Sequence, residues 1–225
     1  MRFSGFTDDA FRFFESLSLD NSRTFWQANK TTYATAVRSP LEAFLDELGD
    51  YGPFHVFRPH RDVRFSKDKT PYKDHQGAYG ESEGGTGFYI QLSSTGLFAA
   101  SGYYSMASDQ LGRFREAVDN EAAGRELTDI VGSLTRRHYS IGAIGELKTA
   151  PRGFPRDHPR IALLRRRGLI ASRSWEQAPW MQSRAALRRV RDAWDGAAAM
   201  HAWLDLHVGP STLAPADELA RFGPL

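Results

Sequence analysis

The chain has 225 residues, 41% of them apolar and 25% charged, a balance that supports a packed core and excludes disorder as the main state. It contains no cysteine, which excludes disulfides, thiolate metal sites, iron–sulfur ligation and a cysteine nucleophile. Its 29 basic and 27 acidic residues leave a formal net charge of +2, too even to indicate a nucleic-acid partner by itself.

The charge is unevenly placed: ten arginines lie between Arg156 and Arg191, against Asp157 and Glu176. The first residues lack an apolar leader-like run, and no stretch approaches the roughly 18 apolar residues of a membrane helix. A cytoplasmic protein that does not enter a membrane is expected. The sequence does not give its oligomeric state.

Thr7-Asp8-Asp9 reads as an N-cap with first-turn acids, and Phe11, Phe14 and Leu17 follow at helical spacing. Asn21-Ser22-Arg23 ends that helix, and a second is expected over 24–37. Ser39-Pro40 is expected to restart the chain as N-cap and first helical residue. The third helix then carries Leu41, Phe44, Leu45 and Leu48 and closes at Gly49.

Residues 55–58 and 62–65 read as strands. Phe88, Ile90 and Leu92 alternate with Tyr89, Gln91 and Ser93, the period of a half-buried strand. Ser94-Thr95-Gly96 joins it to a second extended segment over 97–104, predicting a hairpin. Helices are expected over 109–118 and 121–134, a short helix from Asp157 through Leu164, and a strand over 168–172. Leu187, Val190, Trp194, Ala197, His201, Leu204 and Val208 form one apolar stripe, predicting a single long helix stopped by Gly209-Pro210. No repeat or low-complexity linker appears. Helices, then grouped strands, then helices predict an α+β fold with a mostly antiparallel sheet covered by helices. One domain over 1–208 and a tail over 209–225 are expected.

The segment 58–80 stands out as a charged loop. Between Arg61 and Lys73 it holds Arg61, Arg64, Lys67, Lys69 and Lys73 against Asp62 and Asp68. Arginine suits bidentate contact with carboxylate or phosphate, and lysine supplies a point charge. Thr70-Pro71 restrains the backbone, and Tyr72 and Tyr79 offer ring faces. His75 is the candidate for proton transfer, with His60 an outside one. Two readings stand side by side: a small-anion site on a strand-mounted loop, or a solvated loop whose acids pair with its bases.

The run Arg61-Asp62-Val63-Arg64-Phe65-Ser66-Lys67-Asp68-Lys69-Thr70-Pro71-Tyr72-Lys73 resembles the signature of the family catalogued as domain of unknown function 2461, of bacteria and fungi. Phe3 with Gly5-Phe6, then Asn21, Arg23, Trp26, Lys30 and Tyr33, extend the resemblance. So do Gly77-Ala78-Tyr79, the strand over 85–92, Pro151-Arg152-Gly153-Phe154-Pro155 and Asp157-His158-Pro159. It runs from about Phe3 to about His207. It implies an α+β fold and brings no catalytic assignment with it.

Other motifs are sparse. The seven histidines form no helical His pair, so no metal site is expected. No nucleophile elbow, phosphate loop or cofactor signature is present, so no cofactor is expected. Gly84-Gly85-Thr86-Gly87 precedes a strand and reads as a turn. His201 on an apolar stripe reads as a core histidine, and His158 as an aid to helix capping. Trp175, Trp180, Trp194 and Trp203 lie near the arginines, and a module using Arg165, Arg166 and Arg167 with the last helix is a nucleic-acid-binding alternative. A protein-interaction module is the third reading.

Overall fold

The computed structural model describes residues 2–64, 67–82 and 85–213. Helix α1 (Asp8–Leu19) buries Ala10, Phe11, Phe13, Phe14 and Leu17. Helix α2 (Arg23–Thr32) starts at Ser22, whose hydroxyl accepts from the Phe25 N–H at 3.1 Å.

The expected restart at Ser39 does not occur. The chain passes from α2 through a π-helical segment (Tyr33–Arg38) into α3 (Ser39–Asp46) without leaving helical geometry. The Ser39 N–H reaches back five residues to the Ala34 carbonyl. Pro40 has no N–H to donate, and its ring collides with an ordinary preceding turn. The widened turn absorbs that conflict, so the helix persists.

Six strands follow: β1 (Phe54–Val56), β2 (His75–Glu81), β3 (Gly87–Ser93), β4 (Gly96–Tyr103), β5 (Ser140–Gly142) and β6 (Leu169–Glu176). Their order across the sheet is β1-β2-β3-β4-β6-β5, with every neighbouring pair antiparallel. Between β4 and β5 lie α4 (Ser108–Asp119) and α5 (Glu121–Arg136). A short α6 (Ile161–Leu164) precedes β6, and α7 (Ala185–Asp195) and α8 (Ala198–His207) follow it.

The α+β architecture is as expected, with one qualification: the helices cover a single face of the sheet. Ala78, Phe88, Ile90, Leu92, Leu97 and Ala99 pack into one apolar cluster with α1, α3 and α7. Tyr103, Leu169 and Ala171 pack into a second with α4, α5 and α8. Side chains alternate along a strand, and the register aligns Leu92 with Leu97 and Tyr103 with Leu169. Both clusters therefore lie on the same side.

Three other expectations are corrected. Residues 62–64 form no strand, and Phe65 lies outside the described residues. There the Asp62 carboxylate accepts from the Arg64 N–H at 3.2 Å, a local bond that competes with a strand ladder. Conversely, β2 runs through glycine-rich residues that read as loop. The long last helix is two helices, broken at Gly196 and Ala197. Tyr139 Oη donates to the Ala193 carbonyl at 2.9 Å and Arg137 Nη1 to the Gly196 carbonyl at 3.0 Å, so the last carbonyls of α7 are bound from outside. Trp194 and Trp203 are buried core residues.

After α8, Gly209 and Pro210 are tied back to α4. Gln110 Nε2 donates to the Gly209 carbonyl at 2.9 Å and Arg113 Nη2 to the Pro210 carbonyl at 2.8 Å. The rest of the expected tail, from 214, lies outside the described residues. Among the described residues no helix is long and apolar enough to cross a membrane.

His201 is a core histidine, its Nε2 2.9 Å from Ser101 Oγ and its ring edge-to-face with Phe88. Burial holds its pKa down to about 4. The unfolded chain takes up that proton first, near its ordinary 6.5, so stability from this group is full above 6.5 and is lost as pH falls toward 4. Denaturant unfolding should therefore show wild type losing about 2–3 kcal/mol more than His201→Phe between pH 7 and pH 4.

Candidate binding site on the open face of the sheet

The basic loop is built on fixed ends. Its two limbs run antiparallel: the Arg61 N–H donates to the Pro71 carbonyl and the Lys73 N–H to the Pro59 carbonyl, each at 2.9 Å. Asn21 pins the second limb, donating from Nδ2 to the Tyr72 carbonyl at 3.0 Å and accepting from the Tyr72 N–H at 3.1 Å. The Tyr72 ring is buried and stacks on Trp26, with centroids 4.3 Å apart and planes within 9°. Below it, buried Gln76 accepts from Tyr33 Oη at 2.5 Å and donates to the Phe57 carbonyl at 2.7 Å. Helix α2 and the π segment thus hold the root of β2.

The candidate residues divide by position. Tyr72 is committed to the core. Asp62 pairs with Arg64 at 2.6 Å, and the Arg64 guanidinium holds its carboxyl down to about 2. Asp68 pairs with Arg61 and accepts from the Thr70 N–H and hydroxyl at 2.9 and 2.8 Å. Lys69 Nζ donates to the Val63 carbonyl at 2.9 Å. Arg64, Lys67, Asp68 and Lys69 are exposed. Arg61, Lys73 and His75 are only partly exposed and sit at the base of the loop.

Those three come together. Burial lowers the Lys73 pKa, and the positive charges of Arg58 and Arg61 lower it further. Lys73 Nζ lies 5.0 Å over the Phe57 ring and has no carboxylate partner among the described residues. Burial likewise lowers the His75 pKa, against the raising effect of Asp74, which binds Nδ1 at 2.8 Å; Lys73 and Arg61 add to the lowering. Arg61 Nε is buried without a hydrogen-bond partner among the described residues. Lys73 is thus a partly desolvated cation that faces the like charges of Arg58 and Arg61.

Phe57 and His75 also line a groove of about 580 Å³ on the uncovered sheet face. That volume is in the range of small-molecule sites. The groove runs past Tyr79, Tyr89, Phe98 and Tyr104, over Ala100 and Gly102, to Ile170 and Glu176. Burial raises the pKa of Tyr89 and of Tyr104, so both phenols stay neutral at ordinary pH. Tyr79 was a sequence candidate for its ring face and lies here. Tyr89, Phe98, Phe57 and Gln91 were not read as site residues. The signal for them was present: Gly77-Ala78-Tyr79 and Gly87-Phe88-Tyr89 repeat one pattern, and aromatic rings occupy the outward positions of strands whose inward positions are apolar already.

A family model described as "Conserved hypothetical protein (DUF2461)" matches residues 9–203. The chain belongs to the DUF2461 family. No curated protein and no solved structure matches it. Two of the segments that carry the DUF2461 resemblance meet at the loop: Asn21 and Trp26 contact Tyr72, and Tyr33 bonds the neighbouring Gln76.

The remaining candidates sit elsewhere. Arg165 Nε donates to the Leu147 carbonyl at 2.5 Å and Arg166 Nη1 to the Ile141 carbonyl at 3.1 Å, tying down the segment before α6. His158 Nδ1 accepts from the Arg160 N–H at 3.0 Å, and its Nε2 lies 3.1 Å from Asp119. His60 packs against Trp26 and Tyr72. Among the described residues no three His, Asp or Glu side chains form a group able to hold a metal ion.

Replacing Asn21 with alanine removes both bonds to the Tyr72 backbone and leaves that limb unpinned. Asn21→Ala should cost about 1–3 kcal/mol in chemical unfolding and speed proteolytic cleavage within 61–70 while leaving the far-ultraviolet circular dichroism unchanged.

Proposed function

We propose that the chain binds a small organic anion, its charged group held by Arg61 and Lys73 and its body seated in the groove of the open sheet face. The observation that carries this reading is Lys73: half-buried, flanked by Arg58 and Arg61, without a carboxylate partner among the described residues, and packed on a ring that lines the groove. A carboxylate or phosphate there would compensate the Lys73 charge and could reach the Arg61 Nε that lacks a hydrogen-bond partner among the described residues. In this reading Asp68 orients Arg61, Asp62 and Arg64 hold the loop shape, and Lys67 and Lys69 at the rim attract the ligand over longer range.

His75 supplies pH dependence. With its pKa lowered from 6.5 by burial, it is neutral at pH 7 and joins the cationic group only in acid. Anion affinity should rise as pH falls from 7 through the His75 pKa, and His75→Gln should remove that rise. Asp74 bonds the ring, and Lys73 and Arg61 are the other charges that face it.

The test is a thermal-shift screen at low salt with inorganic phosphate, dicarboxylates, aryl carboxylates and nucleoside monophosphates. A ligand at 100 times its Kd stabilises by about 2.7 kcal/mol, a shift of several degrees. Lys73→Met keeps the packing on Phe57 and removes the charge. It should weaken binding about 10- to 100-fold, whereas Lys69→Ala should change it little. Equal affinity in Lys73→Met and wild type would contradict the reading.

A further inference from the structure

Tyr79 and Tyr89 face each other directly across β2 and β3. Each ring lies down along the sheet instead of standing off it. A Cβ placed on Gly77 would fall 2.7 Å from Tyr89 Oη and 3.0 Å from its Cε2, and one on Gly87 would fall 2.6 Å from both Tyr79 Oη and Cε2. The absence of side chains at those glycines is what lets the rings lie flat. Each hydroxyl is then fixed by its own strand, Tyr79 Oη to Glu81 at 2.9 Å and Tyr89 Oη to Gln91 at 2.8 Å. Beside them the floor continues over Ala100 and Gly102, which add almost no height, to Phe98 and Ile170.

We infer that the ligand body is a planar aromatic ring system, stacked on the flat Tyr79–Tyr89 floor with its anionic substituent toward His75, Lys73 and Arg61. This rests on the anion-site reading above and narrows it to a class, aromatic carboxylates or phosphates. Two features favour such an occupant. A recumbent ring presents one broad face, which suits offset stacking and gives a saturated, puckered body less contact. The positive charge is gathered at one corner of the groove. Across three strand spacings, about 14 Å, the same end carries Glu176, and the far end of β2 carries Glu81. A single anionic group fits that distribution; a polyphosphate chain running the length of the sheet does not.

The decisive experiment compares 2-naphthoate with its fully saturated counterpart, decahydro-2-naphthoate, by isothermal titration. The two share carbon skeleton and charge and differ in planarity and π character. Wild type should bind the aromatic acid about tenfold tighter. Tyr89→Leu should lose that preference while retaining the saturated acid. Gly87→Ala should lose it too, by lifting the Tyr79 ring, and checks the result should Tyr89→Leu fail to fold. Equal affinities in wild type overturn the aromatic inference and leave the anion site standing. Binding of neither acid removes both. Tight, salt-sensitive binding of oligothymidylate with no affinity for 2-naphthoate makes the face a nucleic-acid platform and overturns the inference. So does a stable dimer in sedimentation velocity that excludes 2-naphthoate.

Discussion

The structure depends on a sheet that is covered once. Ala78, Phe88, Ile90, Leu92, Leu97, Ala99, Leu169 and Ala171 turn to one face, where α1, α3 and α7 close one cluster and α4, α5 and α8 close the other. Among the described residues no helix packs on the opposite face. An uncovered antiparallel face ordinarily carries polar side chains. Here it carries Phe57, Tyr79, Tyr89, Phe98, Tyr104 and Ile170 around small residues, an apolar concavity of the kind that the proposed ligand would fill. The anion-site proposal follows from the one-sided packing together with the charge gathered at the end of β2.

The basic loop gains its meaning from what lies beneath it. Charge density alone did not separate a ligand site from a solvated loop, and the loop divides along that line. Arg64, Lys67 and Lys69 sit in solvent with local partners or none that desolvate them, and exposed pairs of this kind contribute little. Arg61, Lys73 and His75 are drawn in by a rigid root. Asn21 grips the Tyr72 backbone, Trp26 stacks on the Tyr72 ring, and Gln76 links Tyr33 to Phe57, just past β1. Among the described residues, partial burial without a carboxylate partner distinguishes Lys73 from the other cations of the loop.

Much of the fold was legible where periodicity was strong. The hairpin of β3 and β4 follows from the alternation around Ile90, and the core stripe of α1 from Phe11, Phe14 and Leu17. What escaped were places where one residue changes the local rule. Pro40 signalled a restart, but a π turn carried the helix past it. Gly196 was hidden inside a continuous stripe, because the bonds that break the helix come from Tyr139 and Arg137, far away in sequence. The glycines of β2 lowered its strand signal, although one of them, Gly77, with Gly87 of β3, is what lets the tyrosines lie flat. For the site, the loop was readable from charge, and Asn21, Trp26 and Tyr33 were noticed through resemblance. Their convergence on Tyr72 and Gln76 is a tertiary fact that no spacing rule contains.

The central claim is that the open face is occupied by ligand at Tyr79 and Tyr89. It is tested most directly by NMR of protein carrying ring-labelled tyrosine, titrated with 2-naphthoate. The account predicts ring-current shifts at Tyr79 and Tyr89, with the resonances of buried Tyr33 and Tyr139 unmoved. Saturable binding that leaves Tyr79 and Tyr89 unshifted would contradict it.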